Sequence, residues 1–447
     1  MTILAVDFGS TFTKGVLLSG GGAVLGTAST PTSATAGWGG DILDGYRTLR
    51  DELGCPDDAV VHACSSAGGG LRLAVVGYER VVTAQAGHRV GLSAGAKVVH
   101  VAAGALTTKG VSGIRAARPD IILLVGGTDG GNADVLLHNA RRLAKAAIGG
   151  FGARAVPIVL AGNTDARAAA AAALASTARP TILADNVLPR IGVIAPGSAR
   201  VAIREAFLRH VIGGKGLSRD PAFAAMVEAA TPDVVLRGVE VLADLTQGDV
   251  LVVDIGGATT DVYSCITPEG EDATLAKQVV APLWHARTVE GDLGMRWNAE
   301  GVLEAAETEH LLDPRSNAGE ELRAYAAHVH THPGSLPERE TEHRLDLDLA
   351  RLAALAAVRR HARPAGPTES PRPLANVSTV VGSGGVLRYA SRAGQDSVLG
   401  AIIGDHAGGW KVPRSAEARV DADYLLFAVG LLAGREAGLA RAVAAQL

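Results

Sequence analysis

The sequence predicts an α/β protein built of two lobes, and three observations lead to this prediction. The chain has 447 residues, which at about 100–200 residues per domain indicates two or three domains. From about residue 58 to residue 195, short apolar runs bounded by glycine alternate with helical stretches. That alternation is typical of βαβ units in a mostly parallel sheet. Strands that lead into glycine-rich turns occur both early and late in the chain.

The individual elements follow from hydrophobic spacing along the chain. Residues 2–30 are predicted to form a β-meander, and residues 40–53 have the spacing of an amphipathic helix. Further strands are predicted at 59–64, 97–102, 120–126, 157–162, 181–184, 249–257 and 377–381. Helical stretches are predicted at 132–147 and 166–178, and 197–247 is predicted to be mostly helical. Residues 299–362 are predicted to be helical with a break near Pro333–Pro337, before a proline-rich loop at 363–375.

Composition excludes several classes of protein. The net charge is −4 and the isoelectric point is about 6.4, so there is no basic stripe for nucleic acid. The three cysteines are widely spaced, which argues against a disulfide framework, a zinc ribbon or a Cys-ligated iron–sulfur cluster. No apolar run reaches the about 18 residues needed to span a membrane, and the N-terminus lacks the basic region of a signal peptide. We therefore expect a cytoplasmic protein that binds neither nucleic acid nor membrane.

Two of the glycine-rich turns share one chemical pattern. DFGSTFTK (7–14) and DIGGATTD (254–261) each begin with an aspartate at the end of a strand, followed by glycine. Glycine lets the backbone turn tightly, and exposed N–H groups and hydroxyls suit phosphate oxygens. The candidate phosphate-binding residues are Gly9, Ser10, Thr11, Thr13, Lys14, Gly256, Gly257, Thr259 and Thr260.

If both turns bind one polyphosphate, Asp7 and Asp254 come close together. Two carboxylates about 5 Å apart repel each other by about 3 kcal/mol at an effective dielectric constant of about 20, and a divalent cation between them removes that repulsion. Hard oxygen ligands beside a phosphate predict Mg²⁺, bound largely through water. A third turn, VGSGG, opens a helix and allows adenine or ribose to approach its backbone. Its glycines are Gly382, Gly384 and Gly385.

These motifs resemble those of a known superfamily. DFGSTFTK, DIGGATTD and VVGSGG are similar, in this order, to the two phosphate motifs and the adenosine motif of the actin, sugar-kinase and heat-shock-chaperone ATPases. The longer stretches ACSSAGGGLRLAVVGYE, IILLVGGTDGGN, LADNVLPRIG and EGDLGMRWNA narrow the resemblance. Together they resemble the glutamate mutase accessory family often called MutL or GlmL, which is unrelated to the mismatch-repair protein MutL. The resemblance covers nearly the whole chain.

The resemblance implies a two-lobe, actin-like and ribonuclease H-like ATPase fold and a partner, an adenosylcobalamin-dependent mutase. It implies a chaperone-like role in which ATP-driven exchange of damaged cobalamin reactivates the mutase. ATP (or ADP) and Mg²⁺ would then be the ligands, with Asp7 and Asp254 as metal-binding residues. Asp7, Asp254 and Asp261 would position the attacking water, and the three turns would contact phosphate and base.

The implied domains are a first lobe at 1–232, a second lobe at 233–420, and a C-terminal helix at 421–447 that packs back towards the first lobe. The long separation between the first two turns implies a large α/β insertion in the first lobe, at about 58–215. Two other functions stay open on the same scaffold: a small-molecule kinase acting on a sugar or carboxylate, and a non-catalytic, actin-like scaffold.

Two further patterns leave their roles open. The turn at 126–132 either binds an anion at a helix N-terminus or only shapes the turn and caps the helix. His328, His330 and His332 alternate, as metal ligands on a strand would, but Pro333 indicates a helix end. We therefore favour a solvated helix end over a metal site for these histidines.

Overall fold

The computed structural model describes residues 1–9, 11–33, 40–66, 71–78, 87, 90–91, 96–191, 193, 195–212, 217–218, 220–267, 284–364, 371–410 and 412–447. Its strands are β1 Thr2–Phe8, β2 Phe12–Ser19, β3 Val24–Pro31, β4 Val60–Ser65, β5 Arg72–Gly77, β6 Lys97–Ala103, β7 Ile121–Leu124, β8 Ile158–Leu160, β9 Thr181–Leu183, β10 Val227–Ala230, β11 Val250–Ile255, β12 Thr260–Ile266, β13 Trp284–Glu290, β14 Thr379–Ser383 and β15 Glu417–Val420. Its helices are α1 Ile42–Glu52, α2 Thr108–Ala116, α3 Asp134–Ala144, α4 Arg167–Ala175, α5 Gly197–Ala206, α6 Pro221–Met226, α7 Thr231–Thr246, α8 Ala299–Thr308, α9 Asn317–Thr331, α10 Glu340–Ala362, α11 Gly385–Arg388, α12 Arg392–Ile402, α13 Leu425–Ala433 and α14 Ala437–Ala444.

Two of the sheets have the same topology. The first has the strand order β3-β2-β1-β4-β10 and the second has the order β13-β12-β11-β14-β15. In each sheet, an antiparallel meander is followed by two parallel strands that return beside its first strand. Each sheet is the centre of one lobe. This repeated order, with a further α/β sheet in the first lobe, confirms the predicted two-lobe actin-like fold class.

Alternation along β1 and β11 decides which side chains face the space between the lobes. Ile3 and Ala5 of β1, and Val250 and Val252 of β11, belong to one buried cluster with helices α7 and α13. Both helices therefore lie between the two sheets. Every second residue of a strand faces the same side. Asp7 is two residues after Ala5, and Asp254 is two residues after Val252, so both aspartates share the face of this cluster. Both carboxylates consequently emerge at strand ends, on the inner faces of the lobes.

A third sheet lies within the first lobe, with all of its strands parallel in the order β6-β5-β7-β8-β9. It is inserted between β4 and β10. The predicted insertion began at residue 58, whereas β4 (Val60–Ser65) pairs with β1 in the first sheet. The third sheet therefore starts later, at Arg72. One face of it packs in the same cluster as the outer face of β1.

Two segments differ from the sequence predictions in secondary structure. Within 197–247, which is predicted to be mostly helical, the described residues form α5, a π-helical turn at Phe207–Val211, α6 and α7. The four residues of β10 between α6 and α7 are instead extended and pair with β4. Tertiary pairing overrides the local helix propensity of that short segment. The C-terminal segment forms two helices, α13 and α14, instead of one. It contacts the first lobe, since the Gln446 side chain donates to the Gly22 carbonyl oxygen at 2.8 Å.

None of the helices within the described residues is long and apolar enough to cross a membrane.

Candidate functional site

The first two predicted turns have the same backbone geometry. The Gly9 N–H donates to the carbonyl oxygen of Phe12 at 3.1 Å, and the Gly256 N–H donates to the carbonyl oxygen of Thr259 at 2.9 Å. A Cβ atom at either glycine would collide with that same carbonyl oxygen. Both turns therefore need glycine at this position for steric reasons.

The two turns differ in charge at their last position. In the pair β1–β2, Asp7 lies opposite Lys14, and in the pair β11–β12, Asp254 lies opposite Asp261. Paired residues of a sheet point to the same face. Since Asp7 and Asp254 continue the inner rows of their strands, all four side chains lie on the inner faces of the lobes. One lobe thus contributes an aspartate and a lysine, and the other contributes two aspartates.

The structure brings these two turns together. A Cβ atom at Gly257 would lie 3.9 Å from the methyl group of Thr11, so the tips of the turns are neighbours across the cleft. The Lys14 ammonium group interacts electrostatically with the carboxylates of both Asp254 and Asp7. Carboxylates separated by more than two hundred residues in the sequence therefore converge on one cation.

Asp7 is almost fully buried, at 4% exposure. Burial raises the pKa of Asp7 above its usual value, although the charge of Lys14 and a hydroxyl hydrogen bond oppose that shift. The hydroxyl belongs to Thr231, the first residue of α7, and donates to Asp7 Oδ1 at 2.5 Å. The Cys64 thiol lies 3.7 Å from the same oxygen. Sequence reasoning missed Thr231, which α7 brings to the end of β1.

Asp254 has a similar environment in the second lobe. Burial raises the pKa of Asp254, Lys14 opposes the shift, and the neighbouring charges of Asp261 and Asp7 add to it. The hydroxyl of Ser383, which lies directly opposite Asp254 on β14, donates to its carboxylate. Burial is thus the main cause of the raised pKa at both carboxylates, and at Asp254 the charges of Asp261 and Asp7 add to it.

Lys14 is surrounded by acceptors that the sequence analysis only partly identified. Burial by itself lowers the pKa of Lys14, but Asp254, Asp7, Tyr424 and Asp421 raise it overall. The ammonium nitrogen lies 4.4 Å from the centre of the Tyr424 ring, a cation–π distance.

Asp421 follows β15 and is 2% exposed. Its carboxylate accepts hydrogen bonds from the N–H groups of Leu425, at 2.6 Å, and Leu426, at 3.2 Å, and so caps α13. Burial raises the pKa of Asp421 to about 6, against the effect of these bonds and of Lys14. The available signal in the sequence was an aspartate four residues before an apolar helix, in DADYLLFAVGLLAG.

Asp261 is held in an ion pair. Arg287 on β13 donates to Asp261 Oδ1 from Nη2 at 2.7 Å and from Nε at 3.1 Å. The Thr259 hydroxyl donates to Asp261 Oδ2 at 2.9 Å. Both carboxylate oxygens are engaged in this way, and Asp261 acts on Asp254 through its charge. Arg287, another residue that sequence reasoning missed, comes from the far strand of the meander.

Two of the predicted phosphate-binding hydroxyls point away from the cleft. The Thr13 and Thr260 side chains are fully buried. The Thr13 hydroxyl lies 3.2 Å from the Thr32 hydroxyl, and the Thr260 hydroxyl donates to the carbonyl oxygen of Leu293 at 2.6 Å. Since strand residues alternate between faces, Thr13 cannot share the inner face of Lys14. Both threonines hold the turns in place, whereas Ser10 lies outside the described residues.

The third predicted turn lies against the second. Gly384 has φ = +111°, and a Cβ there would collide with the carbonyl oxygen of Ile255, the residue after Asp254. A Cβ at Gly382 would meet the side chains of a neighbouring leucine pair, and Gly385, at the start of α11, faces open space. The third turn thus contacts β11 through Gly384, and Gly385 has open space beside it.

Residues 291–298 form a strap around the second turn. The N–H of Met295 donates to the Gly256 carbonyl oxygen at 3.0 Å, and the N–H of Arg296 donates to that of Gly257 at 2.9 Å. The Arg296 guanidinium binds Asp346 of α10 with distances of 2.7 and 3.1 Å. The strap lies within the stretch EGDLGMRWNA (290–299), which served above only to identify the family resemblance. It ties the turn to the helical layer of the second lobe.

A metal site at this cleft would have few protein ligands. Within the described part of the chain, no group of three or more His, Cys, Asp or Glu side chains is arranged to hold a metal ion. The two carboxylates of Asp7 and Asp254 fit Mg²⁺, which keeps several waters and takes phosphate oxygens as further ligands. At the end of α9, the exposed rings of His328 and His332 stack 4.9 Å apart, and His330 is also exposed, as a solvated helix end would be.

Comparison with known proteins places the chain in a family. The family model described as MutL protein matches residues 3–447. The protein MutL of Clostridium tetanomorphum is 34% identical over 452 residues, covering 96% of this chain and 95% of the relative. Solved structures resemble the chain only distantly. A nucleotide-free acetone carboxylase is 13% identical, with a TM-score of 0.39, over 96% of this chain and 70% of its own. The activator of 2-hydroxyisocaproyl-CoA dehydratase from Clostridium difficile with bound ADPNP is 10% identical, with a TM-score of 0.32, over 100% of this chain and 96% of its own. The match to the family along nearly the whole sequence shows that this chain belongs to the MutL protein family.

Proposed function

We propose that this protein binds and slowly hydrolyses ATP, and that it uses the cycle to reactivate an adenosylcobalamin-dependent mutase of the glutamate mutase type. Reactivation would exchange damaged cobalamin for intact coenzyme. Membership of the MutL family supports the partner, and the cleft supports the nucleotide. The observation that carries the proposal is the meeting of two equivalent turns, one from each lobe, whose carboxylates share the ammonium group of Lys14.

In this proposal each residue of the cleft has its own role in nucleotide binding or hydrolysis. The backbone of the turns at Gly9, Thr11 and Gly257 lies next to the phosphates, and Lys14 binds a phosphate oxygen as a point charge. Asp7 and Asp254 would hold Mg²⁺ through water, and the ion would supply neutralisation of the charge on the phosphates. The carboxylate of Asp254 also orients the attacking water. Asp261, which Arg287 holds in place, takes part through the effect of its charge on Asp254.

Lobe closure links this chemistry to a partner. The triphosphate would contact turns from both lobes, while the diphosphate would contact one of them less well. A ligand with different affinity for the open and closed states shifts the population between them. A mutase that binds one state more tightly would then be bound and released once per cycle. We place this activity in the cytoplasm, as the sequence predicts.

The test uses the purified protein with a mutase inactivated by turnover. We expect Mg-ATP to restore mutase activity together with slow phosphate release, and Asp254→Asn to abolish both. Asp396→Asn is the matched control, because Asp396 is an exposed carboxylate paired with Arg392 on α12. A mutase that stays inactive while ATP is hydrolysed would refute the reactivation and leave the ATPase. Rapid phosphoryl transfer to a metabolite in a panel would favour the kinase, and ATP-dependent light scattering would favour the scaffold.

A further inference from the structure

The Arg388 side chain joins the two lobes at the floor of the cleft. Arg388 ends α11, the short helix that opens at Gly385 of the third turn. Its Nη2 atom donates to the hydroxyl of Thr27, on β3 of the first lobe, at 2.9 Å. Thr27 pairs with Val16, which places it on the same inner face as Lys14, two residues away on β2. A residue of the base-binding turn therefore reaches the phosphate-binding sheet of the other lobe.

One aromatic ring connects Arg388 to Lys14. The Arg388 guanidinium carbon lies 4.6 Å from the centre of the Tyr424 ring, and the Lys14 ammonium nitrogen lies 4.4 Å from the same centre. Two cations therefore share one ring at the floor of the cleft. The Lys14 ammonium group also interacts electrostatically with the carboxylates of Asp7, Asp254 and Asp421.

The Arg388 guanidinium donates hydrogen bonds to the hydroxyls of Thr27 and Tyr424, yet one of its donors lacks an acceptor within the described part of the chain. Its Nη1 atom is buried and has no hydrogen-bond partner among the described residues. Leaving a charged donor buried and unpaired is costly, and such a group is expected where a ligand supplies the missing acceptor. The neighbouring Lys14 makes an anionic oxygen the best match.

We propose that Arg388 is a further nucleotide-binding residue, whose Nη1 atom donates to a phosphate oxygen of a nucleoside diphosphate or triphosphate. Its Nη2 bond to Thr27 fixes the guanidinium across the cleft, so that bound phosphate and lobe closure favour each other. This inference rests on the proposed function, because it requires the cleft to bind a nucleotide. It adds a contact from the third turn, whose glycines had been assigned to the base alone.

Calorimetric titration with ADP, with a non-hydrolysable ATP analogue and with adenosine tests the inference. Arg388→Met keeps the aliphatic stem and removes the donors. We expect it to weaken ADP and the analogue at least about tenfold, as the loss of a hydrogen bond to a charged group does, and to leave adenosine unchanged. The control is Arg392→Met, at an arginine whose side chain is 74% exposed, and it should bind all three ligands as the wild type does.

Thr27→Val provides a second, milder variant that removes only the acceptor of Nη2. We expect it to weaken ADP and the analogue by a few fold, because the guanidinium loses its contact with the first lobe and keeps only its contact with Tyr424. If Arg388→Met and Thr27→Val both bind as tightly as the wild type, while Asp254→Asn does not bind, the inference is overturned and the proposed function stands. Equal weakening of adenosine and ADP would assign Nη1 to the ribose and overturn the phosphate contact. If the wild type itself binds no nucleotide, both proposals fail together.

Discussion

Replacing Asp421 by asparagine should change how the stability of the protein depends on pH. Asp421 is buried between the lobes, caps α13 through two backbone N–H groups, and has a pKa raised to about 6 from 3.8. Asparagine keeps an oxygen that can accept from Leu425 or Leu426, and it cannot ionise. The difference between wild type and variant therefore isolates the cost of the Asp421 charge.

The sign and size follow from proton linkage. The pKa of Asp421 is higher in the folded chain than in the unfolded chain, so its contribution to stability is fully present below pH 3.8 and is lost as the pH rises through 6. At about 1.4 kcal/mol for each pH unit, a shift from 3.8 to about 6 corresponds to about 3 kcal/mol. The free energy of unfolding of the variant minus that of the wild type should therefore be about 3 kcal/mol larger near neutral pH than at acidic pH.

Urea unfolding of both proteins at a series of pH values between 4 and 8 measures this gain. Asp423→Asn is the matched control, because Asp423 lies two residues away and is exposed. A difference between wild type and Asp421→Asn that is flat across the range, or that favours the wild type as the pH rises, would refute the reasoning.

Two further substitutions test how the turns are held. Gly384→Ala places a Cβ against the Ile255 carbonyl oxygen at φ = +111°, so it should destabilise the protein by about 1–3 kcal/mol in urea unfolding. Gly385→Ala, which faces open space, should change it by less than about 0.5 kcal/mol, and similar losses in the two variants would contradict the steric argument. Arg287→Ala leaves the carboxylate of Asp261 buried without its cation, so we expect a loss of about 3–5 kcal/mol by the same measurement; a loss below about 1 kcal/mol would mean that water replaces the guanidinium.

The parts of the site that could be predicted are those encoded locally. The turns at 7–14 and 254–261 carry their own glycine, aspartate and hydroxyl residues in consecutive positions, so a strand followed by such a turn is visible in the sequence. The prediction that Asp7 and Asp254 lie close together followed from the hypothesis that both turns bind the same polyphosphate. The strands of the third sheet at 97–102 and 120–126 were also visible, because buried parallel strands are continuous apolar runs.

The parts that could not be predicted depend on pairing over long distances. Arg287 reaches Asp261 only because β13 aligns beside β12, and Thr231 reaches Asp7 only because β10 delivers α7 to the end of β4. The residues that flank Arg287 and Thr231 in the sequence form no motif that would indicate these contacts. The orientation of Thr13, by contrast, could have been inferred, because strand alternation forbids it from sharing a face with Lys14.

The equivalence of the two lobes explains why Lys14 is central. Position 14 of the first turn corresponds to position 261 of the second, and the structure has a lysine at one and an aspartate at the other. With carboxylates at both positions, the inner faces would carry only negative charge at the point where they meet. In the second lobe, Arg287 on β13 forms an ion pair with Asp261 and neutralises its charge. Lys14 therefore interacts with the carboxylates of Asp7 and Asp254, one from each lobe. A phosphate that binds Lys14 must therefore compete with Asp254 of the opposite lobe, so ligand binding and the contact between the lobes are coupled at one ammonium group.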